Sequence, residues 1–252
     1  MKSIPYPLKT SILSLVGLCA LFHSAVHAGD VVEGWSKLPL DKPSVSLPYG
    51  KNGNLIVVSN MIAGGVVDSS TTPMNPFPET ERALHVTPGN KNLPVRLRMG
   101  PFPETLPPKG SFEIQFRLLE GSFDFGILSS LKPTDNSKPF YLPDSERLFG
   151  LPIAVGKNLY TKGFGNLKTA EVSAIESEQN YKLRVEWTTE GDTMNYTFLL
   201  NGNPLNSVSG KAFTLSLPVS KFDNSLMCFG IFSGSVNHPS GKFFIGSVVA
   251  EP

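Results

Sequence analysis

Hydrophobic and polar side chains change places at every second residue along several stretches of this chain. Phe112, Ile114, Phe116 and Leu118 alternate with Glu113, Gln115 and Arg117, and Tyr181, Leu183, Val185 and Trp187 alternate with Lys182, Arg184 and Glu186. Val95, Leu97 and Met99 alternate with Arg96 and Arg98, and Phe123, Phe125 and Ile127 share the next apolar face. A period of two places one row of side chains in a core and the other in water, the signature of antiparallel strands with one wet face. Further strands are predicted over 55–60, 82–86, 195–200, 227–232 and 242–250. No segment carries a long apolar pattern at helical spacing.

Turn chemistry separates these runs. Asn52-Gly53 opens the strand at 55–60, Glu190-Gly191-Asp192 links 181–187 to 195–200, and Asn201-Gly202-Asn203 closes a hairpin. Asn and Gly tolerate the positive φ that a tight hairpin turn demands. Pro204 follows, where a strand without an N–H to donate belongs at a sheet edge. The 23 glycines and 22 prolines are spread throughout, as many short strands require. The expected fold is all-β, a two-sheet antiparallel β-sandwich.

The first 28 residues read as a signal peptide: Lys2 and Lys9, an apolar run from Ile12 to Phe22, then Ala25-Val26-His27-Ala28 as the cleavage region. The run is too short for a membrane span, which takes ~20 apolar residues. Residues 29–252 are then one sandwich domain, in an exported protein found in the periplasm, at the cell surface or secreted. Cleavage removes two of the 22 basic residues and none of the 21 acidic ones, so the remainder carries one net negative charge. With no basic tract, nucleic acid is excluded as a general partner. Cys228 alone survives cleavage, so no internal disulfide forms, and its apolar neighbours Met227 and Phe229 mark it as a small hydrophobe.

A heptapeptide recurs. Met74-Asn75-Pro76-Phe77-Pro78-Glu79-Thr80 returns as Met99-Gly100-Pro101-Phe102-Pro103-Glu104-Thr105, matching at six of seven positions with a spacing of 25. The prolines hold each copy extended, as a stiff surface loop presenting Phe and Glu. Such copies could pair as grips on a ligand; the plainer role for a Phe between prolines is to plug the end of a sandwich.

Gly110-Ser111-Phe112-Glu113-Ile114-Gln115-Phe116-Arg117, the pair 181–187 and 196–202 with its Asn-Gly hairpin, and the closing runs 229–234 and 243–249 together resemble the strand pattern of the concanavalin A-like, laminin-G-like superfamily. The resemblance spans roughly residues 80–250, rests on hairpin and core positions, and implies a jelly roll. That superfamily holds sugar-binding modules, polysaccharide hydrolases and lyases, and protein-binding modules, so function must be argued from the site.

Chemistry is poorly supplied. Retaining jelly-roll hydrolases place their carboxylates on one strand as Glu-x-Asp-x-Glu, which is absent; Glu120 and Asp124 span a turn, and Glu113 and Glu186 could meet only across strands. Of the three strand motifs of jelly-roll alginate lyases, only Tyr160-Thr161-Lys162-Gly163-Phe164 is a distant echo. His85 and His238 are the histidines left after cleavage, and there is no His-Glu-x-x-His, Cys-x-x-Cys, Gly-x-Ser-x-Gly or Asp-x-Asp-x-Asp run. No catalytic residue, metal ligand or cofactor is therefore assigned.

Binding is the function the residues favour. Arg96, Arg98, Glu113, Gln115, Arg117, Lys182, Arg184 and Glu186 all take polar-facing positions. If their strands share a sheet, they form one charged face, concave in a jelly roll, suited to a polar or anionic glycan; the plain alternative is a solvated face. The stretch 131–168 lacks alternation and holds aromatic residues able to stack on sugar rings, Phe140, Tyr141, Phe149, Tyr160 and Phe164 among them, with Trp35 as a further loop aromatic. Tyr141 and Tyr160 join the candidate ligand contacts; the same stretch could instead fold over the sandwich edge. The leading expectation is a non-catalytic glycan-binding or surface-associated protein. The alternatives are a divergent polysaccharide hydrolase or lyase and an envelope scaffold or adhesion module binding a cell-envelope protein.

Overall fold

The computed structural model describes residues 30–33, 35, 40, 47–49, 55–59, 63–87, 95–102, 108–128, 147–156, 158–160, 171–206, 210–222, 227–233 and 241–251. The strands in chain order are β1 (Asp30–Glu33), β2 (Leu47–Tyr49), β3 (Leu55–Ser59), β4 (Ala63–Val67), β5 (Ala83–Thr87), β6 (Val95–Phe102), β7 (Lys109–Glu120), β8 (Ser122–Leu128) and β9 (Arg147–Ala154). They continue as β10 (Asn158–Tyr160), β11 (Glu171–Ala174), β12 (Asn180–Glu190), β13 (Thr193–Leu200), β14 (Asn203–Pro204), β15 (Thr214–Pro218), β16 (Met227–Ser233) and β17 (Lys242–Glu251). Residues 1–28, read above as a signal peptide, lie outside the described residues.

Two antiparallel sheets make the sandwich. The larger has nine strands in the order β14-β13-β12-β7-β17-β5-β4, with β1 beside β17 and β15 beside β13. The smaller has six, β2-β3-β6-β16-β8-β9, and β10 pairs with β11 in a separate ribbon. Period-two burial is plain in β12, where Tyr181, Leu183, Val185 and Trp187 are buried and Lys182, Arg184 and Glu186 are not. The hairpin between β13 and β14 turns through Asn201 at φ 50° and Gly202 at φ 78°, the positive values its Asn-Gly sequence predicts.

Aromatic rings join the sheets. Phe112 of β7 stacks on Phe229 of β16 with centroids 4.2 Å apart, Phe116 meets Phe123 of β8 edge-on at 5.2 Å, and Phe149 of β9 lies 5.1 Å from Phe198 of β13. Burying each such side chain stabilises the fold by about 1.5–3 kcal/mol, with a further increment of ~0.5–1.5 kcal/mol for a favourable ring pair. Trp187, 2% exposed, belongs to the same core, its ring 6.2 Å from that of Phe229.

Three sequence expectations are corrected. Phe149 is not a loop aromatic: residues 147–154 form β9, and its ring is buried in the core. Trp35 is buried too, donating its Nε1–H to the Gly246 carbonyl at 2.6 Å. The heptapeptide copies do not share a conformation, because Met99–Phe102 of the second belong to β6, whose backbone pairs with β3 and β16.

The first heptapeptide copy does lie in a loop. The segment 68–82 leaves β4 and returns to β5 as a flap on the outer face of the larger sheet. Phe77, 1% exposed, packs with Val67, Ala83 and Phe244 in a small cluster separate from the main core. Phe77 is therefore a plug, but over a sheet face rather than at the sandwich end. Asn75 rigidifies the flap, accepting from the Phe77 N–H at 3.0 Å and donating to the Thr80 carbonyl at 2.7 Å.

Candidate functional site

Alternation in β7 and β12 turns their even- and odd-numbered polar residues, respectively for β12 and β7, to the outer face of the nine-stranded sheet. Strand register then builds a grid. One row runs Thr197, Glu186, Ser111, Glu251 across β13, β12, β7 and β17. The next holds Leu199, Arg184, Glu113 and Val249, and the third brings Lys182 opposite Gln115. Asn180 faces Arg117 in the fourth. Neighbouring strands stand ~4.8 Å apart and alternate residues ~6.6 Å apart, so the polar groups form a closely spaced lattice.

Opposite charges knit the lattice. Arg184 donates through Nε to Glu186 Oε1 at 2.9 Å and through Nη2 to Glu251 Oε2 at 2.6 Å. Ser111 Oγ donates to the same Glu251 oxygen at 2.9 Å. Lys182 Nζ stands 4.0 Å from Glu113, and Arg117 3.8 Å from Glu178. Hydrogen bonding from Arg184 holds the Glu251 carboxyl below the usual carboxylate range, against the opposing effect of burial and with help from Ser111. Burial would lower Arg184, but its bonds to Glu251 and Glu186 outweigh that and raise it.

The flap forms a wall along one side. Gln115 donates through Nε2 to Glu79 of the flap, and Asn180 donates to the Pro76 carbonyl at 3.0 Å. Beneath the flap, His85 stacks on Phe244 at 4.5 Å. The uncovered floor consists of Glu113, Lys182, Arg184, Glu186 and Glu251 around a buried Ser111, while Arg117 lies past the flap-clamped Gln115, beside Asn180.

The structure divides the sequence candidates. Glu113, Arg117, Arg184 and Glu186, with Lys182, share this face. Gln115 shares it by parity but is 2% exposed under the flap, so its amide clamps the flap instead of meeting a ligand. Arg96 and Arg98 lie on β6 in the six-stranded sheet, so the continuous face that would have included them does not form. Tyr160 ends β10 in the separate ribbon, and Tyr141 lies outside the described residues. Glu251 and Ser111 were missed: Glu251 is the last residue of β17, and neither sits in a motif that announces a site. Glu113 and Glu186 occupy diagonal positions around Arg184, each engaged by a cation. Among the described residues, no group of three or more His, Cys, Asp or Glu could hold a metal ion, and no helix is long and apolar enough to cross a membrane.

No family model matches the chain, and no curated protein matches it. Solved structures do resemble it. Lectin II from Ulex europaeus is 9% identical, with 84% of this chain and 98% of that one covered and a TM-score of 0.46. The carbohydrate recognition domain of Emp47p is 16% identical over 86% and 97% of the two chains, with a TM-score of 0.45. An endo-1,3-β-glucanase from Streptomyces sioyaensis is 12% identical over 67% and 75%, with a TM-score of 0.42. These likenesses lie at the level of fold alone and bear on neither ligand nor chemistry.

Proposed function

We propose that this chain is an exported glycan-binding protein that cleaves no bond, with the outer face of the nine-stranded sheet as its binding floor. The observation that carries this proposal is the exposed lattice around Arg184, bounded by the flap. Sugar hydroxyls each donate and accept, and the lattice offers carboxylate acceptors beside guanidinium and ammonium donors at strand spacing. The electrostatics favour binding over catalysis: a glycosidase acid needs a raised pKa, whereas Glu251 is lowered by Arg184. Glu186 accepts from Arg184 at 2.9 Å, and Glu113 stands 4.0 Å from Lys182. Export rests on the composition of residues 1–28.

A glycan array followed by affinity electrophoresis tests this. Retention by at least one polysaccharide is expected, weakened ~10-fold or more in Arg184→Ala and Lys182→Ala at unchanged secondary structure. An array blank at high protein concentration overturns the binding reading. Release of reducing ends that Glu186→Gln or Glu113→Gln abolishes overturns the non-catalytic one.

A further inference from the structure

We infer that the floor selects uncharged glycans and rejects carboxylated or sulfated ones, an inference that rests on the glycan-binding reading above. Three cations on this face stand beside carboxylates: Arg184 holds Glu186 and Glu251 in hydrogen bonds, Lys182 lies 4.0 Å from Glu113, and Arg117 lies 3.8 Å from Glu178. Four carboxylates thus stand around these three cations, two of them crowding the single guanidinium of Arg184; Lys109, a further cation on this face by alternation, lies one row beyond Ser111 at the start of β7.

At Arg184 an incoming carboxylate or sulfate would have to displace one of these partners or crowd a third anion beside Glu186 and Glu251. Displacing Glu251 from Arg184 would strand a carboxyl whose side chain is 31% exposed and that Ser111 also holds. Removing one partner from a part-buried pair costs more than the pair contributes, and bringing like charges together adds to that cost. A hydroxyl makes no such demand. The Arg184 guanidinium has five N–H donors and spends two on its carboxylates, leaving three for hydroxyl oxygens. The carboxylates keep lone pairs for hydroxyl protons, so a neutral sugar adds hydrogen bonds without breaking an ion pair.

Affinity electrophoresis in matched gels tests this: hydroxyethylcellulose, galactomannan and agarose as neutral probes, carboxymethylcellulose, alginate and carrageenan as anionic ones. The expected result is retardation by at least one neutral probe, at least ~10-fold stronger than by any anionic probe and insensitive to added salt. Glu251→Gln and Glu186→Gln, each checked for an unchanged melting transition, should release Arg184 and raise retardation by anionic probes several-fold. Anionic retardation equal to or stronger than neutral overturns the selectivity and leaves glycan binding standing. Both variants staying at the wild-type level with anionic probes overturns it as well. Retardation by no probe overturns the glycan-binding reading and the selectivity with it.

Discussion

Acidification should destabilise this protein through His85 in a narrow and calculable window. The imidazole lies on the outer face of β5, 7% exposed, stacked on Phe244, with Nε2 3.0 Å from Thr87 Oγ1. Burial, assisted by the charge of Lys242, lowers its pKa from 6.5 to about 4. Between those values the unfolded chain binds more protons than the folded one, so stability rises with pH there. It is lost as pH falls through about 6.5 towards about 4, and below both values this group costs nothing further. At 1.36 kcal/mol per pKa unit the loss amounts to about 3 kcal/mol. Urea unfolding of the wild type and of His85→Gln at about pH 7.5, 6, 5 and 4 measures it, because carboxylate titrations common to both proteins cancel in the difference. The variant should lose roughly 3 kcal/mol less than the wild type across that range. Parallel stability curves would refute the reasoning, since His85 would then be charging as freely in the folded protein as in the unfolded chain.

Other expectations concern packing and charge. A Cβ at Gly246 would stand 2.5 Å from Gln115 Oε1 and 2.9 Å from the Phe77 ring, so Gly246→Ala should cost about 1–3 kcal/mol in chemical denaturation and loosen the flap in hydrogen exchange. Phe112→Ala removes the ring stacked on Phe229 at the sandwich centre and should cost about 3–5 kcal/mol. Glu251 should titrate below an ordinary glutamate in carboxyl-detected NMR and return towards it in Arg184→Met, because the Arg184 bond is the largest cause of its shift. Its contribution to stability is present at neutral pH and is lost as pH falls through the folded pKa.

The strands at 112–118 and 181–187 were legible because each has one face in the core and one in water. β9 was not, because Phe149, Leu151 and Ile153 alternate with Leu148, Gly150 and Pro152, leaving no polar half to reveal the period. Pro152 is tolerated there because β9 is an edge strand. β4, Ala-Gly-Gly-Val-Val, carries no alternation at all. Parity correctly placed Gln115 outside the core, but parity knows nothing of a flap arriving from 68–82. Alternation in β6 likewise predicts a strand without saying which sheet it joins, which is why Arg96 and Arg98 parted from Arg184. Glu251 becomes part of the floor only through the pairing of β17 with β7, across a separation of 140 residues from Ser111.

Amide chemical-shift mapping with an oligosaccharide cut from whichever polysaccharide the protein retains is the most direct trial of the binding floor. Shifts concentrated on β7, β12 and the end of β17, around Glu113, Lys182, Arg184 and Glu251, are the expected outcome. Shifts gathered instead on β6 around Arg96 and Arg98, or near Tyr141 and Tyr160, would contradict the assignment of the floor to the nine-stranded sheet.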